Sequence, residues 1–90
     1  MARLIKTDGT STFVKPNKGE RFTLEELQAL VGGLIEIVPH IPQAPRRPYD
    51  MLCNEEGLIH GLPFNHKASL LAFQHLHGDV LCLHRDEWTT

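Results

Sequence analysis

Six histidines and two cysteines in a chain of 90 residues are the first candidates for chemistry. His75 and His77 lie two apart, His60 and His66 flank a Leu-Pro-Phe segment, and His84 closes an apolar run. Zinc sites draw on HExxH along a helix or on paired Cys/His spacings, and neither occurs here. An HxH pair puts two ligands on one face only where the chain is extended. The expectation is therefore histidines on loops and strand ends, with no metal and no cofactor. Nucleophilic catalysis needs a nucleophile, a base and an orienting group within reach. Cys53 and Cys82 each follow apolar neighbours, Met51-Leu52 and Val80-Leu81, and no known catalytic signature surrounds them. Both read as small buried hydrophobes.

Two carboxylate pairs, Glu25-Glu26 and Glu55-Glu56, read as a helix start and a turn. Negative charge is favourable at a helix start. No GxxxxGK[ST] phosphate loop is present. What remains is a possible anion contact in the stretch NEEGLIHGLPFNHKAS, residues 54–69. Asn65 is placed to cap a helix, and the amides behind such a cap can face a phosphate or carboxylate. His66 and Lys67 follow in the first turn, and Arg46-Arg47 form the one basic cluster. Gly32 and Gly33 add a place where a ligand or another subunit can approach bare backbone. The candidate ligand-binding set is thus Asn65, His66, Lys67, Arg46, Arg47, Gly32 and Gly33. Its competitor is plain structure: a capping asparagine, solvated arginines, and glycines that ease a helix-to-strand turn.

These residues sit on elements that the pattern specifies. RLIKT, Asp8-Gly9 and STFVK read as a β-hairpin. Thr23-Leu24-Glu25-Glu26 is a capping box, and Phe22 before it can pack on Leu27 as a hydrophobic staple. Leu24, Leu27, Leu30 and Val31 recur at helical spacing, and Gly32 suits a left-handed C-cap. The helix is expected at 24–31. Leu34 to Val38, closed by Pro39, reads as a strand at the centre of a sheet. Three prolines mark 40–48 as an extended loop. MLCN is a short strand, 54–57 a turn, and LIHG a further short strand or loop edge. Asn65 opens a second helix through Gln74, with Ala68, Leu71 and Ala72 on one side. VLCLH is the last strand, and 86–90 a polar tail. The order predicts an α+β fold, a small and mainly antiparallel sheet with two short helices packed on it.

The length supports a single domain over residues 1–90. Its net charge of −2 and dispersed basic residues argue against a nucleic-acid surface. No segment has the apolar length of a membrane span, and MARLIKTDG lacks a signal core. The expected compartment is the cytoplasm. A chain this short buries a modest core, so self-association into a homo-oligomer is expected.

KTDGTSTFVKPNKGERFTLEELQALVGGLIEIVP, followed by NEEGLIHGLPFN and Gly78-Asp79-Val80, resembles a family of small uncharacterised domains of unknown function found in bacteriophages, plasmids and bacteria. The resemblance implies a mobile-element origin and, by analogy, action by binding. The reading it favours is a non-catalytic counter-defence protein, not an enzyme, that sequesters a nucleotide-derived immune signal. The alternative is a protein-interaction module that inhibits a host enzyme through a strand edge or the Pro-rich loop. A small metal-dependent hydrolase is the remotest of the three.

Overall fold

The computed structural model describes residues 2–38 and 49–88. The Pro-rich loop with Arg46 and Arg47, and residues 89–90, lie outside the described residues. In chain order the elements are β1 (Ala2–Ile5), β2 (Ser11–Val14), α1 (Leu24–Val31), β3 (Ile35–Ile37), β4 (Tyr49–Asn54), α2 (His66–Ala72) and β5 (Val80–His84). A 3-10 turn over Arg85–Glu87 follows. All strand pairs are antiparallel, in the order β2-β1-β5-β4-β3. The expected α+β architecture is the one observed.

The hairpin forms where the sequence puts it, with Ala2 opposite Val14 and Ile5 opposite Ser11. Its turn is tied by Asp8, whose carboxylate accepts from the Thr10 amide at 2.9 Å and the Thr10 hydroxyl at 2.6 Å. Gly9 takes φ 90°, which suits a residue without Cβ. β3 corrects one expectation. Among the described residues it pairs only with β4 and lies at the edge of the sheet, while β5 holds the centre. An apolar run signals burial on a pleated surface, and it does not tell an edge from a centre. Ile37 is in fact half exposed.

Side chains alternate across the strands, and each face of the sheet carries one helix. On one face Leu4, Leu52, Leu81 and Leu83 pack with Leu27 and Val31 of α1 and with Phe22. On the other, Ile5, Met51, Cys53 and Val80 pack with Ala68 and Ala72 of α2. Leu24, expected on the buried face of α1, is exposed; burial begins one turn later, at Leu27. The stretch read as a polar tail opens with the 3-10 turn, and Trp88 then packs against the first face. The Trp88 indole donates to the buried Asp50 carboxylate at 2.9 Å, and Arg85 reaches the same group at 3.4 Å.

The start of α1 is closed as its sequence specifies. The Glu26 amide donates to Thr23 Oγ1, and the Thr23 amide donates to Glu26 Oε1, both at 3.1 Å. The Asn17 amide also donates to Glu26. The Asn17 and Thr23 amides hold the Glu26 carboxyl below its ordinary range. A depressed carboxyl stabilises the fold above its unfolded pKa, and that contribution fades as the pH falls through the carboxylate range. Thr23→Ala is expected to cost about 0.5–2 kcal/mol in chemical denaturation, and Thr23→Ser to stay near wild type. Equal midpoints for the two variants would contradict the box.

Candidate interaction site

The stretch from Asn54 to Gly78 is built around two buried asparagines. Asn54 Nδ2 donates to the Val31 carbonyl at the end of α1 at 3.3 Å, while its Oδ1 accepts from the Glu56 amide at 2.8 Å. This side chain fills the space that a Cβ on Gly33 would need, since that Cβ would lie 2.8 Å from Asn54 Nδ2. Gly32 is the left-handed C-cap at φ 81°. The structure therefore gives Gly33 a packing role against Asn54 and Gly32 a capping role at the end of α1. Residues 58–61, read as a strand or loop edge, form turns and pair with no strand among the described residues.

Asn65 does more than cap. Its Oδ1 accepts from the Ala68 amide at 3.0 Å. Its Nδ2 donates to the Ile5 carbonyl at 2.9 Å and the Gly78 carbonyl at 3.0 Å. It is fully buried, so its side chain is occupied by the fold, and α2 presents only the backbone and side chains of His66 and Lys67 to any anion. α2 is also shorter than expected, because Phe73 turns left-handed at φ 53° and ends it before Gln74. The chain then folds back. Ser69 Oγ accepts from the Leu76 amide at 2.9 Å, the Asn65 amide donates to the Leu76 carbonyl at 2.8 Å, and Phe64 bridges His77.

That return gathers three histidines that sequence spacing left apart. His66, His75 and His77 surround the half-buried Phe64 ring, with centroids at 4.6, 5.7 and 5.5 Å in edge-to-face contact. HLH lies antiparallel to LPFNH, so their rings converge, through a reversal that residue spacing alone does not announce. Phe64, His66, Leu70, Phe73 and His75 line a groove of about 380 Å³. Leu70 and Phe73 are 71% and 72% exposed. A larger hollow of about 500 Å³ lies between Lys15, Glu20, Tyr49, His84, Asp86 and Glu87. Charges of both signs line it, as in an ordinary solvated cleft. The groove on α2 is the better candidate because it combines apolar exposure with a strained residue.

The remaining chemistry is muted. Among the described residues no group of three or more His, Cys, Asp or Glu side chains is placed to hold a metal ion. Cys53 is buried and unpaired, and Cys82 is half-buried and unpaired. Burial, with Glu36 directly across the strand pair, pushes the Cys53 thiol up to about 11. Burial also raises Cys82, against an opposing effect from Arg3. The thiolate is the reactive form. At pH 8, Cys53 is expected to alkylate roughly a hundredfold more slowly in the native protein than in urea, read by iodoacetamide labelling and mass spectrometry. A native rate matching the unfolded one would contradict this. The sign is that of a raised thiol: its contribution to stability holds below the unfolded pKa and is lost as the pH rises toward 11.

A family model described as a domain of unknown function, DUF3846, matches residues 2–90. The chain belongs to this DUF3846 family. No curated protein and no solved structure matches it. Membership in DUF3846 fixes the kind of domain and leaves its role to the geometry just described. Among the described residues no helix is long and apolar enough to cross a membrane.

Proposed function

We propose that this domain is a non-catalytic binding module that covers a surface of another protein, with the groove on α2 as its contact. The observation that carries the reading is Phe73. A left-handed phenylalanine costs about 1–2 kcal/mol relative to a relaxed backbone, and this one is 72% exposed. The Phe73 and Gln74 amides close α2 on the Ser69 carbonyl, which offsets part of that strain, but the exposed ring gains no burial in return, whereas contact with a partner would bury it. Strained residues of this kind cluster at ligand clamps and binding sites. Leu70, on the same groove, supplies a second exposed anchor.

Sequestration of a nucleotide-derived signal would draw on the start of α2, through Lys67 and the His66 amide. The protein-binding reading is preferred because most of the exposed surface in the groove is apolar, supplied by Phe64, Leu70 and Phe73. Two free thiols fit work in a reducing cytoplasm. The mobile-element origin and the inhibition of a host enzyme remain part of this proposal. Photo-cross-linking from a benzophenone amino acid at Leu70, in cells that express the domain, tests it. A discrete protein adduct at Leu70, absent from a control position at Ala29, is the expected result. No adduct, together with a small ligand retained in native mass spectra, would overturn it in favour of sequestration.

A further inference from the structure

Charge is distributed unevenly along this chain. It carries nine Lys and Arg and eleven Asp and Glu, yet residues 57–78 contain a single charged side chain, Lys67. The same stretch contains four of the six histidines and no carboxylate. The carboxylates nearest in sequence, Glu56 and Asp79, are already engaged: Glu56 lies 3.8 Å from His60, and Asp79 accepts from the Thr7 amide at 3.1 Å. Among the described residues that line the groove with Leu70 and Phe73 there is no carboxylate; the polar ones are His66, Ser69, Gln74 and His75, and Lys67 lies one helical turn before Leu70, in a protein whose net charge is −2.

Resting on the binding reading above, we infer that the α2 groove takes a protein segment that sets an aliphatic or aromatic anchor beside carboxylates. The anchor fills the hollow over Phe64, between Leu70 and Phe73. The carboxylates meet Lys67 and the imidazoles of His66 and His75, which can donate hydrogen bonds when neutral and attract more strongly when protonated. A second copy of this chain is a poorer occupant. In a two-fold dimer each face would meet its own image, and neither copy would bring a carboxylate to these donors. Complementary charge sets partner choice and encounter rate, while a few apolar anchors carry most of the affinity.

The test uses two short fluorescent peptides with Leu and Phe one helical turn apart, one flanked by Glu and the other by Lys, in anisotropy titrations of the full chain. The Glu peptide is expected to bind about tenfold tighter than the Lys peptide. Phe73→Asn should weaken it by about tenfold or more without lowering the melting temperature, because asparagine tolerates the left-handed backbone. Lys67→Glu should abolish or reverse the preference. Equal binding of the two peptides, or a preference unchanged in Lys67→Glu, overturns the acidic-partner inference. The cross-linking at Leu70 separately decides whether a protein partner exists.

Discussion

Asn65→Ala is expected to lower the unfolding free energy by about 3–5 kcal/mol, a large share of what a small domain possesses. The substitution removes three hydrogen bonds at once, those to the Ala68 amide and to the Ile5 and Gly78 carbonyls. These groups lie around a fully buried side chain, where an unsatisfied polar group costs about 1–3 kcal/mol. Asn65→Ser separates the two roles. It can still cap α2 and should recover about 1 kcal/mol, the usual value of a cap. Asn65→Asp keeps the acceptor for Ala68 but turns a carboxylate toward two carbonyl oxygens. That carboxyl should titrate above its unfolded value. Stability should then fall as the pH rises past about 4, the reverse of a salt-bridged aspartate. Urea denaturation of the variants checks this series. An Asn65→Ala midpoint close to wild type would mean that the asparagine is only a cap.

Local sequence made the cap legible and left the other two bonds hidden. Thr23 and Glu26 are three residues apart, so the capping box reports its own geometry, and α1 spans 24–31 as predicted. The partners of Asn65 Nδ2 are 60 and 13 positions away, at Ile5 and Gly78. No local pattern encodes them. The same limit explains β3. The run Leu34 to Val38 predicts a strand, but its edge position follows from which strands pair, a property of the whole chain. Trp88 and Asp50 are likewise 38 residues apart. The histidines around Phe64 were each visible, but their convergence depends on the reversal that the left-handed Phe73 starts. An unfavoured backbone at a bulky residue cannot be anticipated from helical periodicity, which alone would extend α2 to Gln74.

Gly57→Ala should cost about 1–3 kcal/mol, the range for overpacking a well-filled site. A Cβ there would lie 2.7 Å from the His77 carbonyl oxygen, and this neighbour is backbone and not the end of a flexible side chain. The segment that must yield is the one bridged to Phe64. Gly61 provides the control. It sits in the same stretch at φ 69°, and an added Cβ would meet nothing within 4 Å, so Gly61→Ala costs left-handed strain of about 1–2 kcal/mol without pushing on His77. The two variants are thus comparable in stability and differ in where the disturbance goes. If the groove over Phe64 is the contact, the Glu-flanked peptide should bind Gly57→Ala several-fold more weakly and Gly61→Ala as wild type. Amide exchange should quicken at His77 and Phe64 in the first variant alone. Equal peptide affinity for both variants, despite a shifted His77 segment, would show that contact does not run through the Phe64 floor. It would then have to rest on Leu70 and Phe73, which α2 and its left-handed end hold out to solvent.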